Sequence, residues 1–152
     1  MSLALSMTHL ETFARLHEGR PDDAHSLWAL SERLPGGLGG EHPIWQTLLQ
    51  AEDAHVLVAT ECQLLVGAIV TWHHKGADVA RLAWLGVDAS ARHRGIGRLL
   101  LETSIARAEI AGAGEVVAHV PAGAVDLQGL LAKSGFVSVK GGELRLQLGA
   151  SS

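Results

Sequence analysis

Seven consecutive residues, Arg92-His93-Arg94-Gly95-Ile96-Gly97-Arg98, combine the two ingredients of an anion site. Two glycines let the backbone curl close to a ligand, and the unpaired N–H groups of a helix that starts there point into the curl. A pyrophosphate fits such a cradle, because the helix dipole adds to the amides. Three of the chain's 12 basic residues fall inside this stretch of a protein with net charge -4, so the local field favours a polyanion. A plain surface turn would leave the arginines solvated and the glycines as caps. A dinucleotide-binding turn needs a third glycine where Leu100 stands, and a tighter connection than the seven residues that separate Val87 from Gly95. A nucleoside-triphosphate loop needs Gly-Lys-Ser or Gly-Lys-Thr, which does not follow.

Proton-transfer chemistry has fewer candidates. The chain has nine histidines and no tyrosine. Cys62 is the only cysteine, which excludes an intrachain disulfide and a cysteine-bearing metal cluster. His73-His74 lacks a further His or carboxylate at helical ligand spacing, so no metal is expected.

The elements that must position the curl can be read around it. Thr12–His17 reads as a short strand, and Asp22-Asp23 opens a helix with Ala24, Leu27, Trp28 and Leu30 on one side. Pro35 to Gly40 holds four glycines and reads as a mobile loop, after which Pro43 begins a second helix through Ile44, Trp45, Leu48 and Leu49. Strands are expected at His55–Ala59, Leu64–Trp72 and Val79–Val87, and the short links between them imply an antiparallel meander. A helix over Gly95–Ala111 follows, with Ile96, Leu99, Leu100, Thr103, Ala106 and Ile110 at helical spacing. Glu115–Val120 is then a strand parallel to Val79–Val87, reached through that crossover helix. Asp126–Lys133 is a short helix, and Phe136–Lys140 pairs with Glu143–Leu148 across Gly141-Gly142. Trp72 and Trp84 are expected to pack together across adjacent strands.

Composition bounds the whole. A chain of 152 residues, 47% hydrophobic and 18% charged, suits a single domain over 1–152 with a core from about 12 to 148. The acidic balance argues against a nucleic-acid partner. The longest apolar run, Leu64–Val70, is far short of a membrane span, and no leader is evident, so no membrane association and a cytoplasmic location are expected.

The run from Leu85 to Leu100, with Arg92, Gly95 and Gly97 at the defining positions, resembles the acetyl-CoA motif of the GNAT superfamily of N-acetyltransferases. A second match, Leu130-Leu131-Ala132-Lys133-Ser134-Gly135-Phe136, is similar to the family's late helix ending in Lys-x-Gly-Phe. The resemblance implies a GNAT fold: an α+β mixed sheet of about six or seven strands, mostly antiparallel with a central parallel pair, flanked by four helices. It implies acetyl-CoA as co-substrate and a primary amine of a small molecule or peptide as acceptor. The donor site would comprise Leu85, Gly86 and Val87, pairing with the pantetheine arm, and Arg92, His93, Arg94, Gly95, Ile96, Gly97 and Arg98 around the pyrophosphate. A strand-end amide would also face the thioester oxygen.

The chain departs from the family where proton transfer is concerned. The Tyr that protonates the leaving sulfur is replaced by Leu131, and the associated Asn by Ala124. A general acid contributes about 10²–10⁴-fold, but a thiol with a pKa of about 8.5 leaves tolerably without one. Arg81 and Ala83 occupy the strand positions where a Glu or His base often stands. His119, at the end of the parallel strand, becomes the first candidate for the catalytic base, with His73 and His74 next. Trp28, Glu41, His42 and Trp45 surround the glycine loop, where the family binds its acceptor, and Glu41 or Asp22 could attract a cationic amine. The alternative function is a non-catalytic acyl-CoA-binding sensor or interaction module. The final hairpin offers an edge that a second copy could use, giving a homodimer.

Overall fold

The computed structural model describes residues 14–34, 44–92, 94–121 and 123–149. Thr12, Phe13, the glycine loop with Glu41, His42 and Pro43, and His93 lie outside the described residues. In chain order the elements are β1 (Arg15–Glu18), α1 (Ala24–Glu32), α2 (Trp45–Gln50), β2 (Ala54–Glu61), β3 (Leu64–Trp72), β4 (Val79–Val87), α3 (Ile96–Ile110), β5 (Glu115–His119), α4 (Val125–Lys133), β6 (Val137–Ser138) and β7 (Glu143–Gln147). They form one seven-stranded sheet in the order β1-β2-β3-β4-β5-β7-β6. Among the described strands only β4 and β5 run parallel, as a strand, helix, strand crossover requires. This is the mixed sheet with four helices that the motif resemblance implied.

Alternation of side chains divides the core between two faces. Leu57, Ile69, Leu82, Leu85 and Val116 point to α3 and α4, where Ile96, Leu100 and Leu131 meet them. Val56, Val58, Ala68, Val70 and Trp84 point to α1 and α2, against Leu27, Leu30 and Trp45. Between β2 and β3 the chain reverses on Cys62 and Gln63, with φ of 50° and 68°, the paired left-handed conformation of a hairpin turn that matches strand twist. Among the described residues no helix is long and apolar enough to cross a membrane.

Four local expectations change. Trp28 is 53% exposed and stacks on His25, while Ser31 joins Leu27 and Leu30 in the core. In α3 the inward row is Ile96, Leu100 and Ala108 with part-buried Ser104, a fourfold spacing, and Leu101 is buried beside it; Ala106 and Ile110 face solvent. Helices pack along such rows of four, and a stripe drawn at mixed spacings drifts off them. Trp72 and Trp84 do not pair, because Ala83 is an extra residue on β4: Val70 stands opposite Trp84 but Thr71 opposite Leu82. This bulge turns Trp84 toward Trp45, edge to face at 5.1 Å, and leaves Trp72 opposite Arg81. The last hairpin also narrows, with β6 reduced to two residues and Phe136 buried instead of paired.

Candidate active site

Strands β4 and β5 part in the middle of the sheet. Their pairing runs from Val79 opposite Glu115 to Leu82 opposite Ala118 and stops there. Beyond that point β4 continues to Val87, whereas β5 ends at His119 and the next amide, Val120 N–H, bonds the Gly142 carbonyl at 3.0 Å. Among the described residues the backbone from Ala83 to Val87 therefore has no strand on its β5 side, and an extended guest can supply one. Leu85 faces the α3–α4 core at this gap. Gly86 faces the other side, where a Cβ would meet Trp84 at 2.5 Å and Leu34 at 2.6 Å, so only glycine fits.

The curl lies at the same end of the sheet. A short turn, Ala89–Ala91, follows β4, and Gly95 then caps α3 with φ of 80°, which a side chain would strain. The first helical bond is Leu99 N–H to the Gly95 carbonyl at 2.9 Å, so the amides of Ile96, Gly97 and Arg98 have no acceptor within the helix. At Gly97 a Cβ would make only ordinary contacts, 3.5 Å to Leu130 and 3.6 Å to Val87. Protein packing does not demand glycine there, so its use is the space it leaves in front of those amides.

Each arginine of the motif already has a partner. Arg92 Nε donates to the Val87 carbonyl at 3.1 Å, folding back on the strand end. Arg94 donates to Glu61 Oε1 at 2.6 Å, with Glu61 mostly buried, and so fixes the curl to the end of β2. Arg98 pairs with Glu102 one turn along α3 at 2.8 Å. Asp88, after β4, accepts from Ser90 and from Arg33 at 2.8 Å. The Ser90 hydroxyl first, then the Arg33 guanidinium, hold its carboxyl below the usual range against a smaller opposing effect of burial. The backbone amides are thus the donors of the curl without partners in the helix, and the guanidiniums mainly set its shape and field.

His119 stands one residue beyond the last β4–β5 pair, exposed, and opposite Glu143 of β7. The face it shares carries Arg145, which bridges Glu143 at 2.6 Å and Glu115 at 3.4 Å. That N–H contact from Arg145 holds the Glu143 carboxyl low, with the charges of Arg145, His119 and Arg81 adding to it. Leu131 is fully buried in the α3–α4 core, so the position expected for a tyrosine is apolar and packed. His73 and His74 end β3 at the far end of the sheet: His73 is buried with Nε2–H donating to the Ala77 carbonyl at 2.8 Å, and His74 lies against Asp53. Sequence reading did not find Glu61, Arg33, Asp88 or Glu143. Their partners are distant in sequence or exposed, and no motif marks them.

Residues 52–138 match the family model of the acetyltransferase (GNAT) domain. No curated protein sequence matches the chain significantly. Among solved structures, the ribosomal-protein-S18-alanine N-acetyltransferase of Escherichia coli is 18% identical with a TM-score of 0.75, covering 89% of this chain and 94% of its own. The GNAT domain of PAT from S. lividans is 19% identical with a TM-score of 0.77, covering 89% and 90%. The PaiA N-acetyltransferase of Thermoplasma acidophilum, solved with coenzyme A, is 16% identical with a TM-score of 0.75, covering 88% and 98%.

Proposed function

The chain belongs to the GNAT acetyltransferase family, and on that premise we propose that it transfers an acetyl group from acetyl-CoA to a primary amine of a small molecule or peptide. The observation that carries this reading is the coincidence, at one end of the sheet, of a strand edge at Ala83–Val87 with no partner strand among the described residues and the amides of Ile96–Arg98, which have no acceptor within their helix. The edge suits an amide-bearing arm, and the helix start suits a pyrophosphate.

In this reading the amine attacks the thioester carbon while a backbone N–H of the β4 end faces the oxygen on which charge develops. His119, exposed beside the gap, accepts the amine proton, with the Glu143 carboxylate opposite it on β7. Buried Leu131 supplies no proton to the sulfur, so the thiolate leaves unaided. The name of the Escherichia coli relative makes a peptide beginning with alanine a natural member of the acceptor panel.

The test is to mix the protein with acetyl-CoA and a panel of small amines and peptides, following free thiol and acetylated product together. Thiol release that depends on an amine, with acetylated amine recovered, supports the enzyme. A second reading, an acyl-CoA-binding module without turnover, is favoured by the apolar, fully buried Leu131 in a chain with no tyrosine. Thermal stabilisation by CoA with no release on any amine supports that one.

A further inference from the structure

A cavity of about 490 Å³ opens at the end of the sheet opposite the curl, a volume typical of small-molecule sites. The strand registers fix its place: Gly67 stands opposite Val87 near the curl, whereas Thr71 and His73, which line the cavity, lie where β4 begins. Strand β1 stops at Glu18, and Gly19 N–H makes a last bond to the Val56 carbonyl at 2.8 Å. Among the described residues the first residues of β2 have no strand on that side, and the opening is walled by α2 and the C-terminal half of α3. None of its lining residues belongs to the curl or to the β4–β5 gap.

The lining has a definite chemistry. Leu48, Leu49, Val56, Leu57 and Ala108 make an apolar wall. At the mouth Arg107 donates to Glu18 at 3.2 Å, with the two side chains 50% and 78% exposed. A simple anion entering here meets the Glu18 carboxylate, and a simple cation meets Arg107. A neutral apolar guest would cover both charges and return no contact to either. A guest carrying both signs close together on an apolar stem satisfies all three requirements. Two almost fully buried polar side chains also line the cavity. His73 donates from Nε2 to the Ala77 carbonyl, and the Thr71 hydroxyl has no partner among the described residues.

We propose that this cavity binds a small zwitterion with an apolar side chain, an α-amino acid of about the size of leucine, its carboxylate on Arg107 and its ammonium on Glu18. The proposal is independent of acyl transfer. The test uses the whole protein and three probes: leucine, 4-methylpentanoate, which keeps the carboxylate alone, and isoamylamine, which keeps the ammonium alone. Leucine is expected to raise the melting temperature, to titrate by calorimetry, and to shift the ring signals of His55 and His73. The two half-molecules are expected to bind at least about tenfold more weakly. Arg107→Gln and Glu18→Gln alter exposed side chains, so both variants should fold, and CoA binding checks that they do. Each should weaken leucine about tenfold while leaving CoA affinity unchanged. Absence of leucine binding, an equal response to either half-molecule, or unchanged leucine affinity in Arg107→Gln would overturn the proposal.

Discussion

Arg33 Nε donates to Asp88 Oδ1 at 2.8 Å, joining the end of α1 to the residue that follows β4 across 55 positions of sequence. Asp88 also bonds back into the sheet, its N–H donating to the Val66 carbonyl at 2.7 Å. One carboxylate thus ties the helix on one face of the sheet to the segment that leads into the anion-binding curl.

That carboxyl is held below its ordinary range, so the folded protein binds the Asp88 proton less readily than the unfolded chain. Its stabilisation is present above the ordinary carboxylate range and is lost as the pH falls through the lowered folded value. Asp88→Asn should cost about 0.5–1 kcal/mol at neutral pH, given the partial exposure of the pair. Melting curves should show this difference shrinking toward zero as the pH falls through the lowered value of the folded state. A difference that persists undiminished in acid would show that the charge is not its source.

Glu61 should matter to a ligand it does not touch. Its bond to Arg94 at 2.6 Å fixes the curl to the end of β2. Glu61→Ala is expected to raise the Kd for CoA roughly three- to tenfold by freeing Arg94 and loosening the turn, an effect of the size of one ordinary hydrogen bond. Calorimetric titration reads it directly, and an unchanged Kd would mean that the curl holds its shape without this contact.

The two glycines of the curl should respond differently. Gly95, at φ of 80°, should lose about 1 kcal/mol of stability on substitution by Ala. Gly97 has room for a methyl group, so Gly97→Ala should fold with stability unchanged or slightly raised. It should nevertheless bind CoA more weakly, and Gly97→Trp should abolish binding by filling the curl. Melting curves and CoA titrations on the same samples separate the two effects; normal CoA affinity in Gly97→Trp would remove the curl from the site.

How much of this was legible beforehand depended on range. The curl, the parallel step and the hairpins are encoded by neighbouring residues, and alternation or helical spacing reveals them. Trp72 and Trp84 were misjudged because a single extra residue, Ala83, inverts the strand's facing, and no composition marks a bulge. Ile110 was misjudged because an apolar residue on the last turn of α3 need not meet the sheet, and it is 87% exposed. The contacts Glu61–Arg94 and Arg33–Asp88 span 33 and 55 positions, so only the folded sheet brings them together. For proton transfer the sequence points first to His119 by its place at the end of the parallel strand. What it did not hold was Glu143, placed opposite by the β5–β7 register.

His119→Ala should lower the amine-dependent rate about 10²-fold or more, if the imidazole is the proton acceptor. The KM for acetyl-CoA should stay within about twofold, because the loss falls on the chemical step. Steady-state kinetics with acetyl-CoA varied at saturating amine test this, and a wild-type rate in the variant would assign the proton to water.

The central claim is that the acyl donor lies along the open edge of β4 with its phosphates on the start of α3. An amide-resolved NMR titration of the protein with CoA tests it most directly. The largest shifts are expected at Ile96, Gly97 and Arg98 and along Ala83–Val87, and they should vanish in Gly97→Trp. Shifts centred elsewhere, or persisting in that variant, would contradict it.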